Sequence, residues 1–559
     1  MRHLCKTSIS KEVFFVGVHA GAGFSQAGLV NDNGNIKRLV LERTKIFGKD
    51  LFREQSSDEI WNSVVECVKK VVDGVEIKKI KGIGFTAISS MVCLDTQGSP
   101  LTVSILGKPE RNCILYYDDR SRKEAEIINS KRHSVLRSYG GRVTSDLHES
   151  KLMWLKSHLK EKCWDQIGLI FDLPDFLTWK AAKSDLRSKC VAQTNWCYQF
   201  NEKYHGWDRS FFDELDLEEL AKNDWKVIGS KFQDPGASVA EGLTKEAARE
   251  MGLLEGTPVA TSMTDTHAAC LRLLGCRADG IDKAFDRKFC MVCGTYAASH
   301  FAVCHQPVFV GGVWGPLKDC LVPGMWLSHA GQTTAESLIE HIIDHHPASA
   351  EIRKQLGQMN IQKYLNKMLR SMAKKRGLAS VTYLTQNIHV YPDFRGNRSP
   401  RGDPTLRGMY SGLSLGSNQE TLALLYLATM QSLACSTRHI MNAMVEGGHN
   451  IQHLIIGGGL GKNSIYAELN KDICQIPTVI PKPGSSRVIG AAILGAIAAK
   501  YFKSFEDAVK SMGGEGITGI PDNSTQDYSE KKYEIYLRMY DHQLEYKAIM
   551  NRWCRYMLQ

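Results

Sequence analysis

The chain has 559 residues, of which 43% are hydrophobic and 23% charged, with 48 glycines and 16 prolines. This is the composition of an ordinary globular protein, and it excludes collagen-like, low-complexity and wholly disordered chains. The length predicts roughly three to four domains and supplies enough apolar material for two large cores. The net charge of +10 is a mild excess. The tightest basic cluster, residues 374–376, is typical of a helix C-terminus, so we expect no nucleic-acid partner.

The sequence also bears on cellular location. The longest apolar run, residues 488–499, is shorter than the roughly 18 residues that cross a membrane, and it predicts a closely packed buried helix instead. Residues 1–15 contain no extended apolar stretch, which argues against a secretory signal. The sixteen cysteines form no tight, repeated pairing, as expected of reduced thiols in a cytoplasmic protein. We expect no membrane partner.

The N-terminal part of the chain opens as a β-meander and continues into a helix. Small residues between apolar runs predict hairpin turns, and apolar residues at helical spacing predict the helix. The predicted strands are residues 13–18, a second strand that ends at residue 30, and residues 36–41. A helix is predicted at 57–73 and a strand–loop–strand at 78–94.

A second strand–turn–strand unit follows at residues 288–304, with a further extended piece at 307–313. Because this unit repeats the pattern of residues 13–30, we predict two domains of like construction, with a boundary near 275–285. We therefore divide the chain into residues 1–277 and 278–559.

The C-terminal part carries long helices between short strands, which predicts an α/β fold. A capping-box pattern, Thr333-x-x-Glu336, predicts the start of one helix. Later elements are a buried helix at 420–444, a strand at 454–456, a helix at 464–473 and an amphipathic helix at 529–553.

Three turns of small residues stand at strand ends, namely Gly21-Ala-Gly23, Gly294-Thr295 and the run from Gly457 through Gly458 and Gly459 to Gly461. Glycine allows backbone N–H groups to approach a phosphate without a Cβ in the way. Each turn taken alone is more typical of an ordinary hairpin or helix entry than of a phosphate site. The sequence contains neither a P-loop nor a well-placed G-x-G-x-x-G motif, which argues against P-loop and Rossmann sites.

Charged and metal-ligating residues leave alternatives open. Asp265 stands between a predicted strand and a helix, where it could cap the helix or act as an ionised general base. The Asp118–Arg120 segment follows an apolar strand, where a surface turn is an equal alternative. Cys290-x-x-Cys293 and the pair His341 and His345 lack further ligands at suitable spacing, so we predict no metal site.

Four longer motifs are specific enough to indicate a family. They are Phe171-Asp-Leu-Pro-Asp-Phe-Leu-Thr-Trp179, Phe309-Val-Gly-Gly-Val-Trp-Gly-Pro316, Pro392-Asp-Phe-Arg-Gly-Asn-Arg-Ser-Pro400 and Gly457-Gly-Gly-Leu-Gly-Lys-Asn463. With these motifs the chain resembles the FGGY carbohydrate kinases, and within them the D-ribulokinase-like branch, over residues 13–550. This resemblance implies two ribonuclease-H-like domains of the actin/hexokinase type with an interdomain cleft, and it implies ATP and Mg²⁺ as cofactors.

The resemblance also implies roles for individual residues. Asp265 would be the base that acts on the terminal hydroxyl of the sugar. The residues implied on the sugar side, in the first domain and at one position of the second, are Thr86, Ala87, Asp118, Arg120, Asn195 and His329. The residues implied for the nucleotide are Gly21, Gly23, Gly294, Thr295, Gly457, Gly458, Gly459 and Asn463.

Several positions depart from the family's pattern, and the departures concentrate on contacts to phosphate, metal and sugar. They are His19 for a metal-holding Asp, Ala22 for a Thr, Gln26 for an Arg, Thr86 for an Asp, Asn195 for a Lys, His329 for a Glu and Glu336 for a Gly. Because imidazole is a poor ligand for Mg²⁺, we expect a weakened metal site and low turnover.

Two functional hypotheses follow. The first is an ATP-dependent kinase of a ketopentose such as D-ribulose, with a small-molecule sugar and a nucleotide as its partners. The second is a catalytically impaired member that binds a ligand or a protein partner. A homodimer is an open expectation under either hypothesis.

Overall fold

The computed structural model describes residues 12–200 and 205–557, so most of the N-terminal segment used to argue against a secretory signal lies outside the described residues. The strands are β1 (Phe14–Gly21), β2 (Phe24–Asn31), β3 (Ile36–Arg43), β4 (Glu54–Gln55), β5 (Ile80–Ala87), β6 (Ser90–Leu94), β7 (Cys113–Leu115), β8 (Leu169–Asp172), β9 (Arg187–Ser188), β10 (Gln199–Phe200), β11 (His205–Gly206), β12 (Phe232–Gln233), β13 (Met263–Thr264), β14 (Lys288–Cys293), β15 (Ala298–Cys304), β16 (Trp314–Lys318), β17 (Trp326–Gln332), β18 (His389–Tyr391), β19 (Met409–Ser411), β20 (His453–Gly458), β21 (Thr478–Pro481) and β22 (Gly516–Gly519).

The α-helices alternate with these strands along the chain, as the sequence predicts for an α/β protein. They are α1 (Ser57–Val72), α2 (Arg122–Lys131), α3 (His148–His158), α4 (Leu173–Ala182), α5 (Lys189–Asn195), α6 (Arg209–Glu214), α7 (Lys245–Met251), α8 (Asp265–Gly275), α9 (Glu336–His345), α10 (Ala348–Leu356), α11 (Ile361–Lys375), α12 (Gln419–Glu446), α13 (Ser464–Cys474), α14 (Ser486–Ala498), α15 (Phe505–Met512) and α16 (Gln526–Met557).

Two sheets share one topology. The first sheet has the strand order β13-β5-β1-β2-β3, and the second has the order β16-β17-β15-β14-β20-β21-β22. In the first, β1 pairs antiparallel with β2 and parallel with β5. In the second, β14 pairs antiparallel with β15 and parallel with β20. The repeated arrangement confirms two domains of like construction, whereas the boundary between residues 277 and 278 stays a prediction.

Helix α14 packs unusually close to the first sheet. A Cβ added at Gly17 of β1 would lie 2.0 Å from the backbone oxygen of Val488, and one at Gly84 of β5 would lie 2.0 Å from that of Ala491. Larger side chains would therefore push the helix off the sheet. The prediction of a buried helix in the run 488–499 is confirmed, because ten of the α14 residues are buried.

The two sheets are joined through a shared core in which α8 and α14 pack together. One buried cluster contains residues of β1, α8, β14, β20 and α14, for example Phe15, Leu271, Cys290, Ile455 and Ile493. Although α14 comes late in the chain, it packs on the first sheet and on α8 from the middle of the chain, so these two helices lie in the core that both sheets share.

Two local predictions are corrected. Thr333 does not cap α9, because its hydroxyl donates a hydrogen bond of 2.6 Å to the backbone oxygen of Gly396. The helix starts at Glu336 with Ala335 as its N-cap and no side-chain cap. Residues 307–313 form an irregular segment, and the next strand starts at Trp314.

The described part of the chain contains no helix with the length and apolar character needed to cross a bilayer.

Candidate functional site

The catalytic-base candidate lies where two helices begin. Asp265 is the first residue of α8, and its Oδ2 accepts a 2.7 Å hydrogen bond from Nε of Arg487, the second residue of α14. The Asp265 side chain is 13% exposed and that of Arg487 is 32% exposed. The preceding residue, Thr264, makes no capping hydrogen bond. The carboxylate thus forms a largely buried ion pair instead of capping its own helix.

The first hairpin, β1–β2, lies beside this ion pair. His19 and Gln26 are directly opposite one another on the two strands. Burial lowers the pKa of His19 to about 3, and the Arg487 guanidinium adds to this effect, so the imidazole is neutral. Gln26 Oε1 accepts a 3.0 Å hydrogen bond from the hydroxyl of Ser485, which precedes α14. The polar groups at this hairpin are therefore uncharged and partly engaged.

The tip of the same hairpin is filled by its own side chains. A Cβ at Gly21 would come within 2.5 Å of the Phe24 ring, while Gly23 has a positive φ of 79° that favours glycine. His19 packs edge-on against Phe24 at 5.5 Å between ring centroids. Gly21 and Gly23 serve the turn itself, and their proposed contact with a phosphate stays a prediction.

The second hairpin, β14–β15, presents backbone at its tip. Gly294 is half-buried, and Thr295 and Tyr296 are exposed. The tip is held to the start of α9, since the backbone N–H of Ser337 donates to the oxygen of Thr295 at 2.8 Å. It also reaches the first domain, where Tyr296 stacks on Tyr117 with 6.1 Å between ring centroids.

The glycine run after β20 lies next to this second hairpin. Gly458 is paired with Cys293 across the parallel strands. It has a φ of 95°, and a Cβ there would lie 2.0 Å from the Cys293 oxygen. Gly459 is exposed, whereas Gly457 is buried. The structure therefore brings together two of the three small-residue turns that the sequence offers for a nucleotide.

Two polar residues, Asn463 and Glu336, lie beside the glycine run. Asn463 is buried and engaged, since its Nδ2 donates to the Tyr426 hydroxyl at 2.6 Å and its Oδ1 accepts from Asn366 at 2.9 Å. It acts as the N-cap of α13. Glu336 places Oε2 3.1 Å from a Cβ built at Gly459. Burial, together with the nearby Glu340, raises the Glu336 pKa, because a second acid disfavours the charged form.

Four residues expected on the sugar side are enclosed by protein. The Arg120 guanidinium pairs with Asp118 at 2.8 Å and with Glu54 at 2.9 Å, and the side chains of Asp118 and Arg120 are fully buried. Thr86 is also buried and donates to the Met263 oxygen at 2.8 Å. Ala87 has no exposed surface. These groups support the walls of the site, and a direct sugar contact for them stays a prediction.

The carboxylate of Asp172 is the common hydrogen-bond acceptor of the polar groups on the sugar side. Asp172 Oδ2 accepts hydrogen bonds from His148 at 2.7 Å, from the Asn195 amide at 2.7 Å and from the Ser89 hydroxyl at 3.0 Å. Burial lowers the pKa of His148, although Asp172 opposes the shift. Ser89 and Asn195 are half-buried, so they form the accessible part of this cluster.

The ring of His329 contacts other ring side chains close to Asp265 in the sequence and in the second domain. Its ring lies 5.1 Å from that of His267, which follows Asp265 by two residues, and 5.4 Å from that of Trp314. Arg398 packs over the same Trp314 and donates to Asp146 of the first domain at 3.0 Å. Burial lowers the pKa of His329 well below its usual value, so the position offers a neutral imidazole.

The residues at the first hairpin do not fit a protein-held Mg²⁺ ion. Such an ion requires oxygen ligands, mainly carboxylates, whereas this hairpin offers the buried imidazole of His19, the methyl group of Ala22 and the amide of Gln26. The nearby carboxylate of Asp265 is already paired with Arg487. We therefore treat Mg²⁺ as part of the Mg·ATP substrate.

Sequence reasoning missed the roles of Arg487, Asp172 and His148, whereas Ser89 lies in the loop 86–90 that the resemblance implied on the sugar side. Asp172 lies inside the motif 171–179, so a closer consideration of that motif could have found it. Arg487 gave only the weak signal of a charged residue directly before an apolar helix.

Both parts of the chain match a known protein family. Residues 14–272 match the N-terminal domain of the FGGY family of carbohydrate kinases, and residues 290–499 match its C-terminal domain. Relatives called FGGY carbohydrate kinase domain-containing protein, from Xenopus laevis and Homo sapiens, are 40% and 39% identical over 97% of this chain, covering 99% and 98% of their own. A D-ribulokinase from Saccharomyces cerevisiae is 33% identical over 88% of this chain and 72% of its own.

Solved structures agree on the fold. A xylulose kinase from Rhodospirillum rubrum superposes with a TM-score of 0.76 at 17% identity, covering 96% of this chain and 99% of that one. A glycerol kinase from Plasmodium falciparum gives 0.72 at 15% identity, covering 94% and 98%. The expected two-domain fold of the actin/hexokinase type is confirmed. Together with the two domain matches, these findings show that the chain belongs to the FGGY family of carbohydrate kinases.

Proposed function

We propose that this carbohydrate kinase transfers the γ-phosphoryl group of ATP to a ketopentose, and that D-ribulose is its substrate, giving D-ribulose 5-phosphate. The observation that carries the proposal is the Asp265–Arg487 pair, which lies where the first turns of α8 and α14 meet. The yeast D-ribulokinase, at 33% identity, supports the choice of sugar. We also propose that the reaction takes place in the cytoplasm.

Asp265 supplies the general base. Its Oδ2 is held by Arg487, and its Oδ1 accepts no hydrogen bond from the described residues. The partial positive charge of the helix N-terminus and the adjacent guanidinium both lie beside this carboxylate. Oδ1 is therefore the atom that takes the proton of the sugar's terminal hydroxyl as that oxygen attacks phosphorus.

Arg487 supplies positive charge for the transferred phosphoryl group. Only its Nε bonds to Asp265, and within the described residues the two terminal nitrogens donate to no protein group. A guanidinium next to the base is suited to the charge that develops on phosphoryl oxygens, because its donors are fixed in one plane. In this assignment Arg487 takes over the charge that Gln26 lacks.

The substrates then fill the two sides of the cleft. The exposed backbone at Gly294, Thr295 and Gly459 is offered to the phosphates of Mg·ATP, although Glu336 beside that turn weakens the attraction. The sugar lies toward Ser89 and Asn195, whose side chains are half-buried on Asp172. The first hairpin, β1–β2, supplies no charged side chain to the phosphates. We therefore expect turnover below about 1 per second, the lower end for kinases.

The test is ADP release coupled to a recording enzyme, with purified protein, Mg·ATP and a panel of D-ribulose, L-ribulose, D-xylulose and D-ribose. We expect ketose-dependent ADP release that is highest with D-ribulose, and a phosphate on the terminal carbon by ³¹P spectroscopy. Equal ADP release with and without sugar would contradict the proposal. The relatives reported above give no support to the alternative of a non-catalytic binding protein.

A further inference from the structure

Three metal-ligating side chains from separate elements converge in the core behind the base. Cys190 is the second residue of α5, His267 lies in the first turn of α8, and Cys320 follows β16. One ligand atom from each lies within 4.8 Å of the other two. Cys190 and Cys320 have no exposed surface, and His267 is 1% exposed. The kinase reaction proposed above uses neither thiol.

His267 is oriented as a ligand would be. Its Nδ1 forms a 2.6 Å hydrogen bond with the hydroxyl of Thr264, while Nε2 has no hydrogen-bond partner among the described residues although it is buried. A metal-bound imidazole commonly uses its second nitrogen in this way, because that bond fixes the ring and the tautomer.

We propose that Cys190, His267 and Cys320 form a binding site for a thiol-seeking metal ion, Zn²⁺ or Cu⁺. Two sulfurs and one imidazole nitrogen are the donors that these two ions prefer over Mg²⁺ or Ca²⁺. Bonds of about 2.3 Å to sulfur and 2.0 Å to nitrogen place donors on one ion roughly 3.5–4 Å apart. The observed separations require only small movements to meet that geometry.

Charge and coordination number separate the two ions. Binding releases the two thiol protons to solvent, so Zn²⁺ with two thiolates and one imidazole forms a neutral centre, which suits a buried position. Zn²⁺ then needs a water or another oxygen as its fourth ligand. Cu⁺ is satisfied by three donors but leaves one net negative charge in the core.

The same core contains a matched pair without an imidazole. Cys270 and Cys290 belong to the same buried cluster and are fully buried. Buried cysteines often act only as small apolar side chains, and we assign that role to Cys270 and Cys290. Replacing Cys290 by alanine therefore controls for the loss of a buried thiol as such.

The experiment measures metal retention by the untagged full chain. His341 and His345 are exposed one turn apart on α9 and could hold Zn²⁺ at the surface, so every protein carries the His345→Gln change. Each protein is stripped with a chelator, incubated with Zn²⁺ or anaerobically with Cu⁺, desalted and analysed by mass spectrometry for bound metal. Circular dichroism verifies that each variant is folded.

We expect the His345→Gln protein and its Cys290→Ala derivative to keep one ion per chain, and the Cys320→Ala derivative to lose at least nine-tenths of it. If Cys320→Ala does not fold, His267→Gln replaces it in the same comparison. Retention of Zn²⁺ alone, of Cu⁺ alone or of either ion supports the site and identifies its metal. Retention of neither ion, or equal loss from Cys290→Ala, overturns the proposal.

Discussion

The two hairpins that face the cleft have the same topology but opposite surfaces. In β1–β2 the tip is closed, because the Phe24 ring fills the space beside Gly21 and Gln26 is bonded to Ser485. In β14–β15 the tip is open, with Gly294 half-buried and Tyr296 52% exposed. One duplicated unit thus packs against its own side chains, while the other leaves its tip accessible to solvent.

In the proposed mechanism, the positive charge of the site comes from a different residue than the one that the family's pattern implies. The first hairpin is neutral, since the pKa of buried His19 is lowered to about 3 and Gln26 carries no charge. The guanidinium beside the base belongs to Arg487 of α14, which packs on the same strands. A helix from the end of the chain therefore contributes what the hairpin does not.

The largest effect should come from the base between the two hairpins. Asp265→Asn keeps the shape of the side chain but cannot take the hydroxyl proton, so we expect ketose-dependent turnover to fall by about 10²–10⁴-fold. The measurement is coupled ADP release at saturating Mg·ATP. Asp527→Asn, at an 82% exposed side chain on α16, is the matched control and should retain wild-type turnover. Equal turnover of Asp265→Asn and wild type would remove Asp265 from the mechanism.

Moving the charge back to the hairpin tests the comparison directly. Arg487→Ala removes the guanidinium next to Asp265, and we expect turnover to fall by about 10²-fold, as for loss of one transition-state donor. Adding Gln26→Arg to that variant returns a guanidinium to the hairpin and should recover part of the loss. Arg487→Lys, which keeps the charge but loses the planar donors, should be intermediate. The same rates in Arg487→Ala and wild type would contradict the assignment.

The parts of the site that sequence predicted are those with local signals. Small residues between apolar runs gave both hairpins, and the strand-to-helix transition placed Asp265 at the start of α8. The prediction that failed at Thr333 relied on a four-residue pattern alone, whereas the hydroxyl is drawn to Gly396 of a distant loop.

Long-range pairing is what the sequence could not give. Arg487 and Asp265 are 222 residues apart, and the bond between Arg120 and Glu54 spans 66. No local pattern encodes which charged side chains meet after folding. The Asp118–Arg120 segment was therefore assigned to the sugar on resemblance, although its charges are satisfied within the protein.

Matched glycine substitutions should separate the closed tip from the open one. Gly21→Ala drives a methyl group into the Phe24 ring, and we expect a loss of about 2 kcal/mol in unfolding free energy, as for an overpacked site. At Gly294 the nearest atom to an added Cβ is the Ala297 oxygen at 3.0 Å. There we expect a smaller loss of stability but weaker Mg·ATP binding, by about tenfold or 1.4 kcal/mol.

Thermal unfolding and calorimetric titration with Mg·ATP measure the two effects on both proteins. We expect Gly21→Ala to lower the free energy of unfolding more than Gly294→Ala does, and Gly294→Ala to weaken Mg·ATP binding more than Gly21→Ala does. If Gly294→Ala binds Mg·ATP as wild type does, the open tip is not part of the nucleotide site.

The last effect concerns pH and the neutral imidazole of the closed hairpin. In the unfolded chain His19 takes up a proton near its ordinary pKa of 6.5, whereas in the folded protein burial lowers that pKa to about 3. Between these values the unfolded state binds more protons, so the free energy of unfolding falls as pH falls. From pH 7 to pH 5 this single residue should remove about 2 kcal/mol from the wild type.

His19→Gln cannot take up that proton, so its stability should fall by about 2 kcal/mol less over the same interval. Urea unfolding of both proteins at pH 5, 6 and 7 measures the difference. Asp175 and Glu149, whose pKa values burial raises to about 7, act in the opposite direction, but they are common to both proteins and cancel in the subtraction. Parallel losses in the two proteins would mean that folded His19 is protonated near its ordinary pKa. The first hairpin would then gain a positive charge below about pH 6.5, and its neutrality, on which the contrast with Arg487 rests, would hold only above that pH.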